Sequence, residues 1–166
     1  MPKKSENEIQ VVNVRLVKEP SLYSTKEVTS PEAVMEVVAS ELKNYDREVF
    51  AILNLKTNGK PINLHICSVG TLDAAMINPR EAFKAIILSN AASFICIHNH
   101  PSGNCEPSPA DIAVTERMVR CGELMGIKML DHIIIAAETG EQASFLRKGL
   151  LDGMRSRDDY TSEWER

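Results

Sequence analysis

The sequence lacks the features that mark several classes of protein. The longest apolar stretches are only a few residues, too short to span a bilayer, and the N-terminus has no apolar segment of a secretory signal. Four cysteines, widely spaced, are too few for a disulfide scaffold. A formal net charge of −4 gives no global basic signal for nucleic acid or membrane binding. These absences favour a cytoplasmic globular protein with no membrane partner.

The length and composition predict one folded domain. The chain has 166 residues, of which 43% are hydrophobic and 25% are charged, values typical of a globular protein with a core of its own. Residues 1–8 are polar and predicted to be disordered. The folded domain is expected over residues 9–151, and residues 152–166 form a charged tail.

Hydrophobic periodicity and turn residues predict an alternation of strands and helices. Strands are predicted at residues 9–18, 48–56, 61–69, 93–98, 128–137 and 142–145, and helices at 30–43, 79–88, 108–125 and 146–151. The dipeptide Asn58-Gly59 is a strong hairpin signal between two of these strands. The element order predicts an α/β fold with a single mixed β-sheet and helices on its faces.

The segment from residue 94 to residue 111 carries most of a candidate metal site. His98 and His100 end an apolar strand, and side chains two residues apart leave a strand on the same face. A glycine turn follows, and Asp111 lies in the first turn of the next helix. Three nitrogen or oxygen ligands with an open fourth position are the arrangement of a catalytic zinc. The pattern therefore predicts one Zn²⁺ per chain.

Part of this segment has a purely structural interpretation. Ser108-x-x-Asp111 is also a helix N-cap with an acidic residue at the third position. That interpretation accounts for Ser108 and Asp111, but it leaves the two histidines on one face unexplained. Cys105 is an alternative third ligand, although it lies in a loop, whereas Asp111 is held by a helix start.

Hydrolysis at such a site also needs a proton-transfer group. Glu48 begins an apolar strand and is a candidate general base, but the same position suits a solvated residue at a strand edge. The local sequence leaves both interpretations open.

The pattern His98-x-His100, seven intervening residues, Ser108-x-x-Asp111 resembles the signature of JAMM (MPN+, JAB domain) zinc metalloproteases, which also has a glutamate upstream. Five further stretches resemble the bacterial RadC branch of these proteins. They are Glu48-Val49-Phe50, Gly70-Thr71-Leu72, Pro79-Arg80-Glu81, His98-Asn99-His100-Pro101-Ser102-Gly103 and Asp131-His132-Ile133-Ile134-Ile135. The resemblance runs from about residue 10 to residue 150.

The resemblance implies a fold, a reaction and a role for each site residue. The fold would be of the MPN/JAB type, a curved mixed sheet with cytidine-deaminase-like architecture. Zinc would be bound by His98, His100 and Asp111, and Glu48 would act as general acid and base. Ser108 would stabilise the oxyanion. The reaction implied is attack of zinc-activated water on the amide carbonyl of a peptide or isopeptide.

Other functions and residue roles stay open. A DNA repair or recombination accessory protein, a metal-dependent nuclease and a scaffold with a structural zinc are the alternatives, although the charge does not support tight DNA binding. His65 is interpreted as an ordinary strand residue, and the Asp131-His132 pair as structural or as supporting the ligands. The physiological substrate and the oligomeric state have no signal in the sequence.

Overall fold

The computed structural model describes residues 27–42, 45–70, 77–101, 103–136 and 138–155. The helices in these ranges are α1 (Pro31–Leu42), α2 (Pro79–Leu88) and α3 (Pro109–Met125). The strands are β1 (Val49–Leu55), β2 (Pro61–Val69), β3 (Ser93–His100), β4 (Lys128–Ala136) and β5 (Gln142–Ser144). The predicted disordered segment 1–8, the predicted strand 9–18 and residues 156–166 of the predicted tail lie outside the described residues.

The five strands form one mixed sheet in the spatial order β2-β1-β3-β4-β5. Strand β1 is antiparallel to both β2 and β3, and β4 is antiparallel to β5. Strands β3 and β4 are parallel, so the chain must cross over between them, and α3 makes this crossover. The predicted α/β fold, a single mixed sheet flanked by helices, is confirmed.

The starts of α2 and α3 follow from their capping residues. The side chain of Asn78 accepts a hydrogen bond from the Arg80 N–H at 3.0 Å, and Ser108 caps α3 in the same way through Asp111. Helix α3 ends at Gly126, whose φ of 68° is a left-handed conformation that glycine adopts without steric cost. These caps place the first turn of α3, and with it Asp111, at a defined point beside β3.

Each face of the sheet has its own apolar core. Helices α2 and α3 pack on one face, around Phe50, Phe94 and Met118, and α1 packs on the other. Gly122 lets α3 approach the sheet, because a Cβ atom there would lie 3.3 Å from the Phe94 ring of β3 and 2.5 Å from the Ile127 carbonyl oxygen in the turn before β4. In the described part of the chain, no helix combines the length and the apolar character needed to cross a bilayer.

The helix predicted at residues 146–151 is wrong. The segment is a series of turns, and Gly149 has a φ of 71°, which interrupts any right-handed helix. Leu151 is nevertheless fully buried, and Met154 packs partly against the same core. The side chain of Arg155 donates to the Met129 carbonyl at 3.3 Å, so the first residues of the predicted tail contact the domain.

Candidate metal centre

Two histidines at the end of β3 and a carboxylate at the start of α3 lie together. The rings of His98 and His100 are 4.6 Å apart between centroids, on one face of the strand. Asp111 Oδ1 lies 2.9 Å from His98 Nδ1, and its Oδ2 lies 3.5 Å from His100 Nε2. One candidate ligand atom from each residue lies within 4.8 Å of the others, a group that could hold a metal ion.

The group is closed on its inner side and open at His100. The side chains of His98 and Asp111 are 2% and 1% exposed, whereas that of His100 is 13% exposed. Burial raises the pKa of Asp111, but hydrogen bonds from His98 and Ser108 lower it more, and the net pKa lies well below the usual range. Asp111 is therefore a carboxylate at neutral pH, able to bind a cation.

The hydrogen bonds of the two rings define which nitrogens carry protons. His100 Nδ1 lies 2.7 Å from the Asn104 carbonyl, and His98 Nδ1 lies 2.9 Å from the Asp111 carboxylate. Both oxygens can only accept, so each Nδ1 donates, and a neutral ring then has a lone pair on Nε2. His98 Nε2 is buried with no hydrogen-bond partner. Two imidazole lone pairs and a carboxylate are a donor set that fits zinc.

Ser108 is bound to Asp111 in a reciprocal cap. Its hydroxyl donates to Asp111 Oδ2 at 2.6 Å, and its backbone N–H donates to the same oxygen at 2.7 Å. The Asp111 N–H donates in return to Ser108 Oγ at 3.2 Å. The predicted cap is thus present, and in this arrangement the hydroxyl hydrogen points to Asp111. The oxyanion role of Ser108 stays a prediction.

Glu48 reaches the same site from a distant part of the chain. It immediately precedes β1, and the antiparallel pairing of β1 with β3 sets Phe50 opposite His98. Glu48 Oε2 lies 3.8 Å from His98 Nε2, and its side chain is 32% exposed. A carboxylate about one third exposed beside the candidate ligands has access both to the site and to water.

Asp131 anchors the turn that follows β5. Its carboxylate accepts hydrogen bonds from the Ser144 hydroxyl, the Leu146 N–H and the His132 N–H, at 2.5, 2.9 and 2.8 Å. Burial raises the pKa of Asp131, and these hydrogen bonds lower it in part. The arrangement matches the structural role that the sequence predicts for this residue.

His132 lies behind the candidate ligands in an aromatic environment. Its ring stacks on Phe145 at a centroid distance of 4.7 Å, and burial is the main reason that its pKa is lowered to about 3. His132 Nδ1 lies 2.6 Å from Thr115 Oγ1, and Thr115 donates to the carbonyl of Asp111. His132 therefore contacts the helix turn that carries Asp111 through one intervening side chain.

Two other candidates lie elsewhere. His65 is half-buried on β2, opposite Ile52, and burial lowers its pKa. Cys105 packs partly against the apolar core under α2 and α3. Neither residue belongs to the group of three candidate ligands.

The sequence profile of the family described as the RadC-like JAB domain matches residues 28–150. The chain belongs to this family. All five candidate site residues of this RadC-like JAB domain lie within the matched range. Membership confirms the resemblance that the histidine motif indicates.

Relatives of this RadC-like JAB domain carry the name UPF0758 protein. That of Caldanaerobacter subterraneus subsp. tengcongensis is 42% identical over 125 residues, which are 75% of this chain and 53% of that protein. Those of Syntrophomonas wolfei and Desulforudis audaxviator are 45% and 46% identical, over 63% and 65% of this chain and 44% and 47% of theirs. The chain thus spans about half the length of the curated relatives it matches.

Sequence reasoning missed three residues that contact the site of this RadC-like JAB domain. They are Asn104, whose carbonyl contacts His100, Thr115, which contacts Asp111 and His132, and Asn99, which contacts the backbone beside Glu48. Asn104 acts through its backbone, so its side chain gives no signal. Thr115 lies four residues after Asp111, and this spacing on one helix face was the available signal.

Proposed function

We propose that this RadC-like JAB domain is a zinc-dependent hydrolase that cleaves an amide bond in a peptide or isopeptide. One observation carries the proposal. The buried Nε2 atom of His98 has no hydrogen-bond partner, and it lies among two carboxylates and a second imidazole. A bound cation would satisfy this nitrogen and offset the negative charge of the carboxylates.

The candidate ligands are His98, His100 and Asp111, one ion per chain. When bound, zinc would supply Lewis acidity, which polarises a carbonyl and lowers the pKa of water to about 7. The Asn104 carbonyl orients the His100 ring, and Asp111 orients the His98 ring. The chain thus holds its candidate ligands before any ion arrives.

Glu48 is the proposed proton carrier. It lies beside His98 Nε2 and is partly exposed, so it can take a proton from the attacking water and give it to the leaving amine. The role needs a carboxylate that reaches both the ion and the substrate. Asp111 does not take this role, because it is itself a proposed ligand of the ion and also accepts hydrogen bonds from His98 and Ser108.

Ser108 is the proposed donor to the oxyanion. Turning its hydroxyl hydrogen towards the substrate would leave Asp111 Oδ2 with the Ser108 backbone N–H as donor. The carboxylate therefore keeps a partner when the hydroxyl rotates. This second donor makes the two roles of Ser108, helix cap and oxyanion donor, compatible.

The donor set favours amide hydrolysis over phosphodiester cleavage. Enzymes that cleave phosphodiesters often use two metal ions about 4 Å apart, bound by additional carboxylates. In the ranges that the structure describes, His98, His100 and Asp111 form the group that could hold a metal ion, enough for one ion. This donor set therefore does not match a two-metal nuclease.

Metal analysis combined with a screen of peptide and isopeptide substrates tests the proposal. We expect one zinc per chain in the parent protein and in Glu48→Gln. On a cleaved substrate, Glu48→Gln should lower kcat by roughly 100-fold or more, the usual contribution of a general acid or base. Glu81→Gln, which changes an exposed carboxylate paired with Lys84 on α2, is the matched control and should keep full activity. Absence of stoichiometric zinc, or full activity in Glu48→Gln, would contradict the proposal.

A further inference from the structure

The residue between the two histidines has a contact that the metal site does not explain. Asn99 is 2% exposed and lies between two ligand candidates that point to the other face of β3. Its Oδ1 accepts a hydrogen bond from the Val49 N–H at 2.5 Å, and its Nδ2 donates to the Arg47 carbonyl at 3.0 Å. The Asn99 amide thus binds the backbone on both sides of Glu48.

These two hydrogen bonds hold a segment that the sheet itself does not. The ladder between β1 and β3 ends at the pair Val49 and Asn99, so Glu48 lies just beyond the paired strand. The side chains of Asp46 and Arg47 are mostly exposed, and the core contact of this segment comes from Tyr45 before them. A side-chain amide has the same donor and acceptor as a peptide group. Asn99 therefore replaces the missing part of the ladder.

A second contact holds Glu48 from the other neighbouring strand. The Gly70 N–H, at the end of β2, donates to the Glu48 carbonyl at 2.8 Å. Gly70 has a φ of 123°, a backbone conformation that residues with a Cβ rarely adopt. The backbone at Glu48 is therefore fixed from β3 by Asn99 and from β2 by Gly70.

We propose that Asn99, assisted by Gly70, is a positioning residue that holds the Glu48 carboxylate beside His98. The inference rests on the proposed function, because it concerns how Glu48 serves that site. The Glu48 side chain starts at a backbone that Asn99 and Gly70 fix, and its carboxylate lies 3.8 Å from His98 Nε2. A displacement of about 1 Å at such a group can cost roughly 100-fold in rate.

The alternative is that Asn99 only stabilises the end of the sheet. Both roles predict a loss of stability when Asn99 is removed, because two buried backbone groups lose their partner. They differ in what happens at the metal site. A positioning role acts through Glu48, so the effect of removing Asn99 must disappear when Glu48 has already been removed.

The test measures binding of acetohydroxamic acid to the zinc-loaded full chain by isothermal titration calorimetry. This small chelator binds zinc through its two oxygens, and its hydroxyl proton passes to a neighbouring carboxylate. Its affinity therefore depends on the position of Glu48, and the measurement requires no substrate. The variants are Glu48→Gln, Asn99→Ala, Gly70→Ala and the Glu48→Gln/Asn99→Ala double variant. Asn54→Ala is the matched control, since Asn54 is a buried asparagine on β1 with hydrogen bonds to other side chains.

We expect Glu48→Gln to weaken acetohydroxamate binding about tenfold or more, the loss of one hydrogen bond to a charged group. Asn99→Ala and Gly70→Ala should each reproduce a large part of this loss with one zinc per chain retained. The double variant should bind no more weakly than Glu48→Gln alone. Asn54→Ala should lower the melting temperature without changing the acetohydroxamate affinity.

The outcomes separate the two proposals. Absence of zinc from the parent protein would overturn the proposed function and this inference together. Stoichiometric zinc with weakened binding in Glu48→Gln, but full affinity in Asn99→Ala and Gly70→Ala, would overturn the inference alone. Additive losses in the double variant would also overturn it. If Asn99→Ala does not fold, Gly70→Ala and its double variant with Glu48→Gln decide in the same way, since Gly70 is only partly buried and an added Cβ there meets no neighbouring atom.

Discussion

Two buried histidines on neighbouring strands have the same hydrogen-bond pattern and opposite surroundings. His98 on β3 and His132 on β4 are 2% and 0% exposed, and their rings are 6.5 Å apart. Each has a partner at Nδ1, and each has a buried Nε2 without one. The number of hydrogen bonds therefore does not distinguish them.

The neighbours of the two rings do distinguish them. His98 lies beside the carboxylates of Asp111 and Glu48, at 2.9 and 3.8 Å, whereas His132 lies between the rings of Phe50 and Phe145. Carboxylates attract a cation, whereas burial away from water, the main cause of the lowered pKa of His132, disfavours a charged ring. An unpartnered imidazole nitrogen indicates a metal site only where negative charge surrounds it.

The largest expected difference between the two histidines is in zinc affinity, measured after each imidazole is removed in turn. We expect His98→Ala to weaken zinc binding by more than about 100-fold, because losing a residue that merely orients a ligand already costs 10- to 100-fold. His132→Phe should change zinc affinity by much less, since the ring contributes packing on that side. Competition with a chromogenic chelator measures both values.

One result would contradict the assignment of His98, and not His132, as a zinc ligand. If His132→Phe lost zinc and His98→Ala retained it, the ion would have to be bound at the aromatic side. Circular dichroism of both variants is the control, because a variant that does not fold reports nothing about its ligands.

The stability of the domain in acid depends on the apolar surroundings of His132. The folded-state pKa of His132 is lowered from 6.5 to about 3, so below pH 6.5 the unfolded chain binds the proton more readily than the folded chain. The contribution to stability is complete above pH 6.5 and is lost as the pH falls towards 3. At pH 5 the loss is about 2 kcal/mol, from 1.36 kcal/mol for each pH unit below 6.5.

Urea unfolding of the parent protein and of His132→Phe, at pH 7.5 and pH 5 with a chelator present, measures this loss. Groups common to both proteins cancel in the difference. The parent should lose about 2 kcal/mol more than the variant between the two pH values. An equal loss in both proteins would mean that His132 is protonated in the folded state.

Thr115 connects the two regions and should have the smallest effect. Its hydroxyl contacts both His132 Nδ1 and the carbonyl of Asp111. Thr115→Val keeps the shape and removes the hydroxyl, and we expect a loss of about 1 kcal/mol in the free energy of unfolding. Zinc affinity should fall by roughly tenfold at most, the lower end of the range for residues that orient a ligand, because Thr115 contacts the backbone carbonyl of Asp111 and not its carboxylate. A loss as large as that of His98→Ala would show that Thr115 is more than a connection.

The sequence predicts those parts of the site that depend on local geometry. His98 and His100 share a face because strands have a period of two, and Asp111 is placed by a helix cap that its neighbours define. The order of helices and strands, which local periodicity and turn residues define, predicts the mixed sheet. The resemblance to JAMM proteases adds Glu48, which no local pattern assigns.

The remaining features depend on contacts between distant residues or on loop backbone. The register of β1 on β3 sets Phe50 opposite His98 and so brings Glu48 to the site, and register is a property of the assembled sheet. Asn104 contributes a carbonyl, which every residue type has. The helix predicted at residues 146–151 has apolar residues at helical spacing, but the left-handed Gly149 closes a turn instead.

The crossover through α3 has a consequence for how the domain opens. His98 and Asp111 are 13 residues apart, so a short loop closes the candidate ligand set, whereas Glu48 comes from 50 residues before His98. Local opening begins where few buried contacts hold the chain, and the side chains of Asp46 and Arg47, next to Glu48, are mostly exposed. Detachment of the segment before β1 would separate Glu48 from ligands that stay together. We therefore expect gentle denaturation to abolish the proposed hydrolysis before the proposed ion is released.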